Sequence, residues 1–442
     1  MSNRLKSFFL IAGILAVIFA CVFPNRGRPA LVVVYVPNAL GIRASLVNID
    51  HGEVLYVKCK FKNAGVLHNS SDKHGISAVL SSLMFRKMHE LSPEESLEKM
   101  AELGMAHFDP SAFGDDFAVS FFVLKDEITK ALKFLSPAFS RPNFTKNDLE
   151  FAKENFPLIP DIDSSHPREL LLEKLMSMLY ANHPYGLNCT GTAQAIASIT
   201  AEDIDKFVQS KFTGDNLEVI FAGNVSAMEV SKYLNILFAE LPRHNVDALP
   251  GQKQKIDIPM SSEKISIINN PNARDLVGVA VGVRLDELTD LERAALYVLL
   301  EIFYNHKTGI LTEGLRSRNI SNELGHFLLK RSLSDVFYTS VFLEKKDLAN
   351  YLKYLEEKTS LSAGELDPER VEKAKDYLFQ RSLNEFVDLT DIDETSKIRS
   401  LPFRDVSLEN IAAVAKKLWD KSKTRTVIIG NEIPILDYKE HR

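Results

Sequence analysis

The chain has 442 residues, 45% hydrophobic and 25% charged, which suits two to three globular domains and excludes disordered or collagen-like classes. A net charge of −6 gives no sign of the basic face that a nucleic-acid binder needs. Three cysteines, Cys21, Cys59 and Cys189, leave at most one disulfide in the body and form no C-x-x-C pair, which argues against a disulfide scaffold or a thiolate zinc site.

Residues 1–28 read as a signal peptide or membrane anchor. Arg4 and Lys6 precede an uncharged apolar run at 8–23, and Pro24 ends it. Three fates fit: a cleaved signal, a retained anchor, or a lipoprotein through Ile18-Phe19-Ala20-Cys21, where Phe19 is a poor fit. No second run of spanning length follows. The expectation is export, with the body in a bacterial periplasm, free or anchored to the inner membrane.

The body alternates strand-like and helix-like stretches. Residues 32–36 and 53–61 are β-rich, and the second alternates cleanly, with Cys59 on one face beside Leu55, Val57 and Phe61. That predicts a buried free thiol. Helical spacing follows at 75–90, a strand at 117–124, and helices at 126–139, 146–156 and 167–182. A helix at 200–212 opens on a cap-like Thr-x-Glu, and a short strand lies at 217–223. The acids Glu94, Glu95 and Glu98, and the mixed charges at 344–353, read as solvated helix faces.

A second set of elements repeats the first. Thr200-Ala-Glu-Asp-Ile204 matches Ser407-Leu-Glu-Asn-Ile411, and Val219-Ile-Phe-Ala-Gly-Asn224 matches Thr426-Val-Ile-Ile-Gly-Asn431, both 207 residues apart. Leu132-Lys-Phe-Leu135 matches Leu352-Lys-Tyr-Leu355 at 220, and Leu149-Glu-x-Ala-Lys153 matches Val371-Glu-x-Ala-Lys375 at 222. A slowly drifting offset across four segments predicts a duplication. The expected domains are 29–245 and 263–438, joined by a linker at 246–262 that carries Pro250, Gly251 and Pro259. A cleft between two such domains is a natural ligand site.

His183-Pro-Tyr-Gly186, Gly191-Thr192, Ile196 and Ile199-Thr200 together resemble the insulinase/pitrilysin family, where HPYG…GT…I..IT precedes a helix and a G-N strand. The run Gly75-Ile-Ser-Ala-Val-Leu-Ser-Ser-Leu-Met-Phe85 sits where that family carries its G-x-x-H-x-x-E-H-M-x-F zinc segment. The resemblance spans about residues 30–435. It implies an α/β (α+β) fold: two homologous domains, each a mixed, mostly antiparallel sheet covered by helices on one face, forming one half-shell.

In the family, two histidines four residues apart bind zinc and the glutamate between them activates water. The positions matching His, Glu and His here hold Ala78, Ser81 and Ser82. Alanine offers no donor, and a neutral serine hydroxyl is a poor one beside imidazole or carboxylate. The third ligand position falls near Ile159-Pro160, with Glu154 and Asp161 the nearest acids. No H-x-x-E-H, H-E-x-x-H or H-x-x-x-H occurs among the eleven histidines, and His74 and His89, fifteen residues apart, share no helical face. A serine hydrolase would need a G-x-S-x-G elbow, and there is none. Ala78, Ser81 and Ser82 are therefore expected as a stripe of small residues that lets a helix lie close to a sheet. The family's substrate-binding Arg matches Arg316 in Leu311-Thr-Glu-Gly-Leu-Arg316, but its Tyr partner position is Glu323 and the glycines before the Arg are missing. A solvated or ion-paired Arg at a helix end is the plainer reading.

The resemblance thus implies a peptidase homologue with no cofactor, the zinc ligands being absent. Its implied partners are an active homologue bearing H-x-x-E-H, as a heterodimer, and unfolded peptide. The alternatives are a stand-alone peptide-binding or envelope-assembly protein, and a zinc metalloendopeptidase with a displaced site.

Overall fold

A computed structural model describes residues 33–433 apart from 50–51, 113, 156–165, 188–190, 192, 243–257, 286, 322, 361–365 and 385–400. The leader at 1–28, Cys21, Cys189, Thr192, Ile159, Pro160, Asp161 and most of the 246–262 linker lie outside the described residues.

The first half is built on six strands: β1 (Val33–Tyr35), β2 (Arg43–Asn48), β3 (Val54–Phe61), β4 (Met105–Ser111), β5 (Phe117–Leu124) and β6 (Leu217–Gly223), in the order β1-β2-β6-β3-β5-β4. The alternation read from the sequence decides the faces. Leu55, Val57, Cys59 and Phe61 of β3 are fully buried against a helical layer. Burial pushes the Cys59 thiol far above its ordinary pKa, so it is an inert apolar side chain. The layer comprises α1 (Ile76–Leu83), α2 (Pro93–Glu102), α3 (Ile128–Ser140), α4 (Lys146–Glu154), α6 (Ala193–Ala197), α7 (Ala201–Lys211) and α8 (Ala227–Phe238); α5 (Pro167–Leu179) goes elsewhere.

The second half repeats the plan. Its strands are β7 (Ile265–Asn269), β8 (Leu276–Leu285), β9 (Gly325–Leu329), β10 (Asp335–Glu344) and β11 (Arg425–Gly430), in the order β7-β11-β8-β10-β9. That is the order β2-β6-β3-β5-β4 position for position, down to the one parallel pair: β2 with β6, and β7 with β11. Its helices are α9 (Asp290–Tyr304), α10 (Ile310–Ser317), α11 (Leu348–Thr359), α12 (Pro368–Asn384) and α13 (Leu408–Leu418). The offset of 207 reappears as one capping box built twice. Thr200 caps α7 with Asp203 as its return partner, and Ser407 caps α13 with Asn410 in the same role.

Two predicted helices end early, for local reasons. The one expected over 75–90 stops at Leu83. Its last turn tightens, with the Arg86 N–H on the Leu83 carbonyl at 3.0 Å, and His89 at φ 56° turns the chain away. The one expected over 167–182 stops at Leu179, ahead of Asn182 at φ 58°. The expectation of helices on only one face also needs correcting for the second sheet. Leu171, Leu175, Met178 and Leu179 of α5 cover its other face, packing on Ala280, Val336, Val427 and Ile429. A helix from the first half thus completes the second half's core.

Candidate functional site

Helix α1 starts on Gly75, whose φ of 102° suits glycine, and runs into the core of the first half. The motif glycine Gly191 packs on this turn with a φ of +93°. A Cβ there would lie 2.5 Å from the His74 carbonyl oxygen and 2.9 Å from Gly75 Cα, so only glycine fits.

Of the three motif positions expected as a close-packed stripe, Ser82 lies off the buried face, which corrects the expectation at that residue. Ala78 and Ser81 are buried, and Ser82 is exposed. Both hydroxyls turn back into their own helix. Ser81 Oγ donates to the Ala78 carbonyl at 2.8 Å, and Ser82 Oγ to the Val79 carbonyl at 2.8 Å. A methyl group and two such hydroxyls do not fit a zinc ion, which needs imidazole, thiolate or carboxylate donors. Among the described residues, no group of three His, Cys, Asp or Glu side chains is placed to hold a metal. Glu154, at the end of α4, is exposed.

Arg316 ends α10, exposed to solvent, with Nη2 donating to the His306 carbonyl at 2.7 Å. Glu323 is exposed too, and its backbone N–H goes to Ser321 Oγ at 3.3 Å.

A dense polar cluster lies where the two halves meet, and sequence spacing gives no hint of it. Residues 65–67 hydrogen-bond through their backbone to Ala112, Gly114 and Asp115. Gly65 N–H donates to the Asp115 carbonyl at 2.9 Å, and Val66 N–H to that of Ala112 at 2.8 Å. A Cβ on Gly65 would stand 2.1 Å from the Gly114 carbonyl oxygen. This close approach sets His68 Nε2 2.8 Å from Asp115 Oδ1. Tyr185, in the turn Pro184–Gly186 of the HPYG motif, donates its hydroxyl to the same oxygen. From the second half, the Ser332 N–H donates to Asp115 Oδ2 at 2.9 Å and its Oγ to Oδ1 at 2.9 Å.

Burial alone would raise the Asp115 pKa, but the hydrogen bonds from His68, Tyr185 and Ser332 outweigh it and hold the carboxyl below its ordinary value. Burial, with the Asp115 charge adding to it, pushes the Tyr185 phenol far up, so it stays a donor. Ser, His and Asp meet here, yet they make no catalytic relay. Ser332 donates directly to Asp115, and His68 meets both through the one nitrogen Nε2. The cluster is a joint. Beside it, Tyr180 Oη donates to the Ser334 carbonyl at 3.0 Å, and Arg284 Nη1 to the carbonyls of Ile258 and Leu179 at 2.7 and 3.3 Å.

Comparison with known proteins agrees with this architecture. Residues 61–193 match the model of the insulinase family (peptidase family M16), and residues 198–378 match that of the peptidase M16 inactive domain. The mitochondrial-processing peptidase subunit beta of Dictyostelium discoideum is 22% identical over 332 residues, 75% of this chain and 67% of that protein. An uncharacterised zinc protease of Rickettsia felis is 26% identical over 179 residues, 40% of this chain and 43% of its own length, so that match spans less than half of the relative. Among solved structures, the peptidase M16 inactive domain from Pseudomonas fluorescens superposes with a TM-score of 0.79 at 17% identity, covering 91% of this chain and 98% of that one. A protease from Helicobacter pylori gives a TM-score of 0.73 at 16% identity, covering 90% and 98%.

Proposed function

This chain belongs to the insulinase family of peptidases, M16, and we propose that within it the chain is a subunit without a zinc site of its own. Its role in this reading is to support peptide binding by a homologue that carries H-x-x-E-H. The observation that carries the proposal is the donor set at Ala78, Ser81 and Ser82, with both hydroxyls committed to their own helix. Neither serine has a base beside it in those bonds, and an unactivated hydroxyl is a weak nucleophile. The leader at 1–28 places the pair at or beyond a bacterial inner membrane in this reading, and Arg316 is the residue assigned to peptide contact.

The test is a tagged purification of the full chain from its native envelope, with every co-purifying chain identified and zinc measured. A homologue bearing H-x-x-E-H at one-to-one stoichiometry, holding all the zinc, supports the proposal. A chain that comes down alone and zinc-free points instead to a stand-alone peptide binder. Stoichiometric zinc on the chain alone would establish a displaced metallopeptidase site.

A further inference from the structure

The turn that carries Tyr185 is capped by a titratable group. His183 Nδ1 accepts the Tyr185 N–H at 3.2 Å, and Pro184 between them has no N–H of its own. The backbone adds two bonds, Gly186 N–H to the His183 carbonyl at 2.9 Å and Leu187 N–H to the Pro184 carbonyl at 3.0 Å. Gly186 seats the turn on the end of α5, where a Cβ would stand 2.4 Å from the Tyr180 carbonyl oxygen. From this seat the Tyr185 hydroxyl reaches both halves. It donates to Asp115 and lies 2.8 Å from Ser332 Oγ.

The cap fixes the state of the ring. An acceptor at Nδ1 requires the neutral imidazole with its proton on Nε2, whereas an imidazolium carries N–H at both nitrogens and accepts nothing. Protonation therefore sets two donors face to face, Nδ1–H and the Tyr185 N–H, and the cap is lost. The surroundings resist that charge. Burial first, then His68 and Arg284, hold the His183 pKa below its ordinary 6.5, and Asp115 pulls the other way. The Tyr180 and Tyr185 rings stand 6.3 and 4.8 Å from the imidazole, and Arg331 adds a second guanidinium from the second half, its Cζ 5.7 Å from the Tyr185 ring centre. His68 differs, because its Nε2 lies 2.8 Å from Asp115 Oδ1 and a charge there meets a carboxylate. Asp116 next door turns away, accepting the Asn63 N–H at 2.9 Å.

We propose that His183 is an acid-sensitive latch between the two halves: proton uptake by its imidazole uncaps the turn at 183–186, withdraws Tyr185 from Asp115 and Ser332, and loosens the seam while each half keeps its own core. The two sheets bury separate apolar clusters under their helices, so the seam can open without either one melting. The latched form is favoured above the ordinary imidazole value and is lost as the pH falls below it, because the open form holds the proton more tightly. The latch involves none of the motif positions Ala78, Ser81 and Ser82, so it is independent of the zinc-free-subunit reading.

The test is amide hydrogen–deuterium exchange of the full chain between about pH 7.5 and about pH 5, corrected for the intrinsic rate and read by mass spectrometry, with exchange at each imidazole C2–H giving the titration of each histidine. Protection at 65–68, 114–116, 183–187 and 331–334 should fall about tenfold or more on acidification, while β3 and β8 keep theirs. The midpoint should lie below 6.5 and coincide with the titration of His183. His183→Asn, whose carboxamide oxygen accepts the same N–H without titrating, should keep the seam protected across the range. His183→Ala, with no acceptor, should leave it unprotected at both ends. Seam protection in wild type that is unchanged by acid, or that is lost together with that of β3 and β8, overturns the proposal, and neither result needs a variant. So does a His183 midpoint at or above 6.5. Acid loss in His183→Asn equal to wild type, or full neutral-pH protection in His183→Ala, overturns it as well.

Discussion

Tyr185 and Ser332, 147 residues apart and in different halves, touch through their hydroxyl oxygens at 2.8 Å while both donate to the carboxylate of Asp115. One acidic side chain from the first half therefore serves as acceptor for donors on both sides of the division.

Asp115→Asn should loosen this joint. The amide has one acceptor oxygen in place of two and turns an NH2 group toward the other donors. Leaving buried donors unmatched costs about 2–3 kcal/mol, and Tyr185→Phe, which removes one donor, about 1 kcal/mol. Urea unfolding of the two variants should give that order. An Asp115→Asn midpoint equal to wild type would show that the joint contributes nothing to stability.

The same carboxylate makes the fold acid-sensitive. The Asp115 pKa is held below its ordinary 3.8 in the folded state, so the unfolded chain takes up the proton first as the pH drops. Its contribution is complete above the unfolded value and disappears as the pH falls through the folded one. His183 adds in the same direction. Burial, the nearby His68 and Arg284 depress its pKa, so the stability it gives is present above its ordinary 6.5 and falls away in acid. Melting temperature followed downward from pH 7 should fall less steeply below pH 4 in Asp115→Asn than in wild type. Identical slopes would contradict the assignment.

At the motif positions, removing the hydroxyls should cost almost nothing. Ser82 is exposed and back-bonded inside a helix, so Ser82→Ala should stabilise by about 0.5 kcal/mol through helix propensity. Zinc content and any peptidase activity of a purified pair should be unmoved. A loss of activity in Ser82→Ala would give that hydroxyl a role this geometry denies it.

Gly191→Ala should be far more damaging than either serine change. It forces a side chain into φ +93° and against the His74 carbonyl, for about 2 kcal/mol or more. A thermal melt within a degree of wild type would mean that the turn at Gly75 can yield.

Arg316→Ala should leave stability within about 0.5 kcal/mol, as expected at an exposed position. Peptide affinity of a reconstituted pair should fall about tenfold, a loss of roughly 1.4 kcal/mol. Unchanged affinity would remove Arg316 from the peptide path.

Much of the fold was legible because local chemistry repeats. The alternation at 53–61 gave the face of Cys59, and the matched segments at offset 207 are strands and capped helices of the same kind in both halves. The joint was not legible. His68, Asp115, Tyr185 and Ser332 come from four separate stretches, and only Tyr185 belonged to a recognisable motif. The destination of α5 was half legible. Residues 170–172, 175–176 and 178–179 are apolar on more than one side of the helix, which signals burial without naming the partner surface. Ser82 falls outside the close packing expected at Ala78, Ser81 and Ser82 because residues three and four apart spread over an arc of the helix, and the core covers only part of that arc.

The crossing of α5 onto the second sheet has a consequence for synthesis. The strands against which Leu175 and Leu179 finally rest include β11, among the last described residues to leave the ribosome. At translation rates of about 5–20 residues per second, the intervening stretch of more than two hundred residues keeps that apolar helix waiting on the order of ten seconds or more. A nascent chain of this protein carries a sticky, unfinished surface for most of its elongation. Holdase chaperones that shield such surfaces are therefore natural companions of its biogenesis.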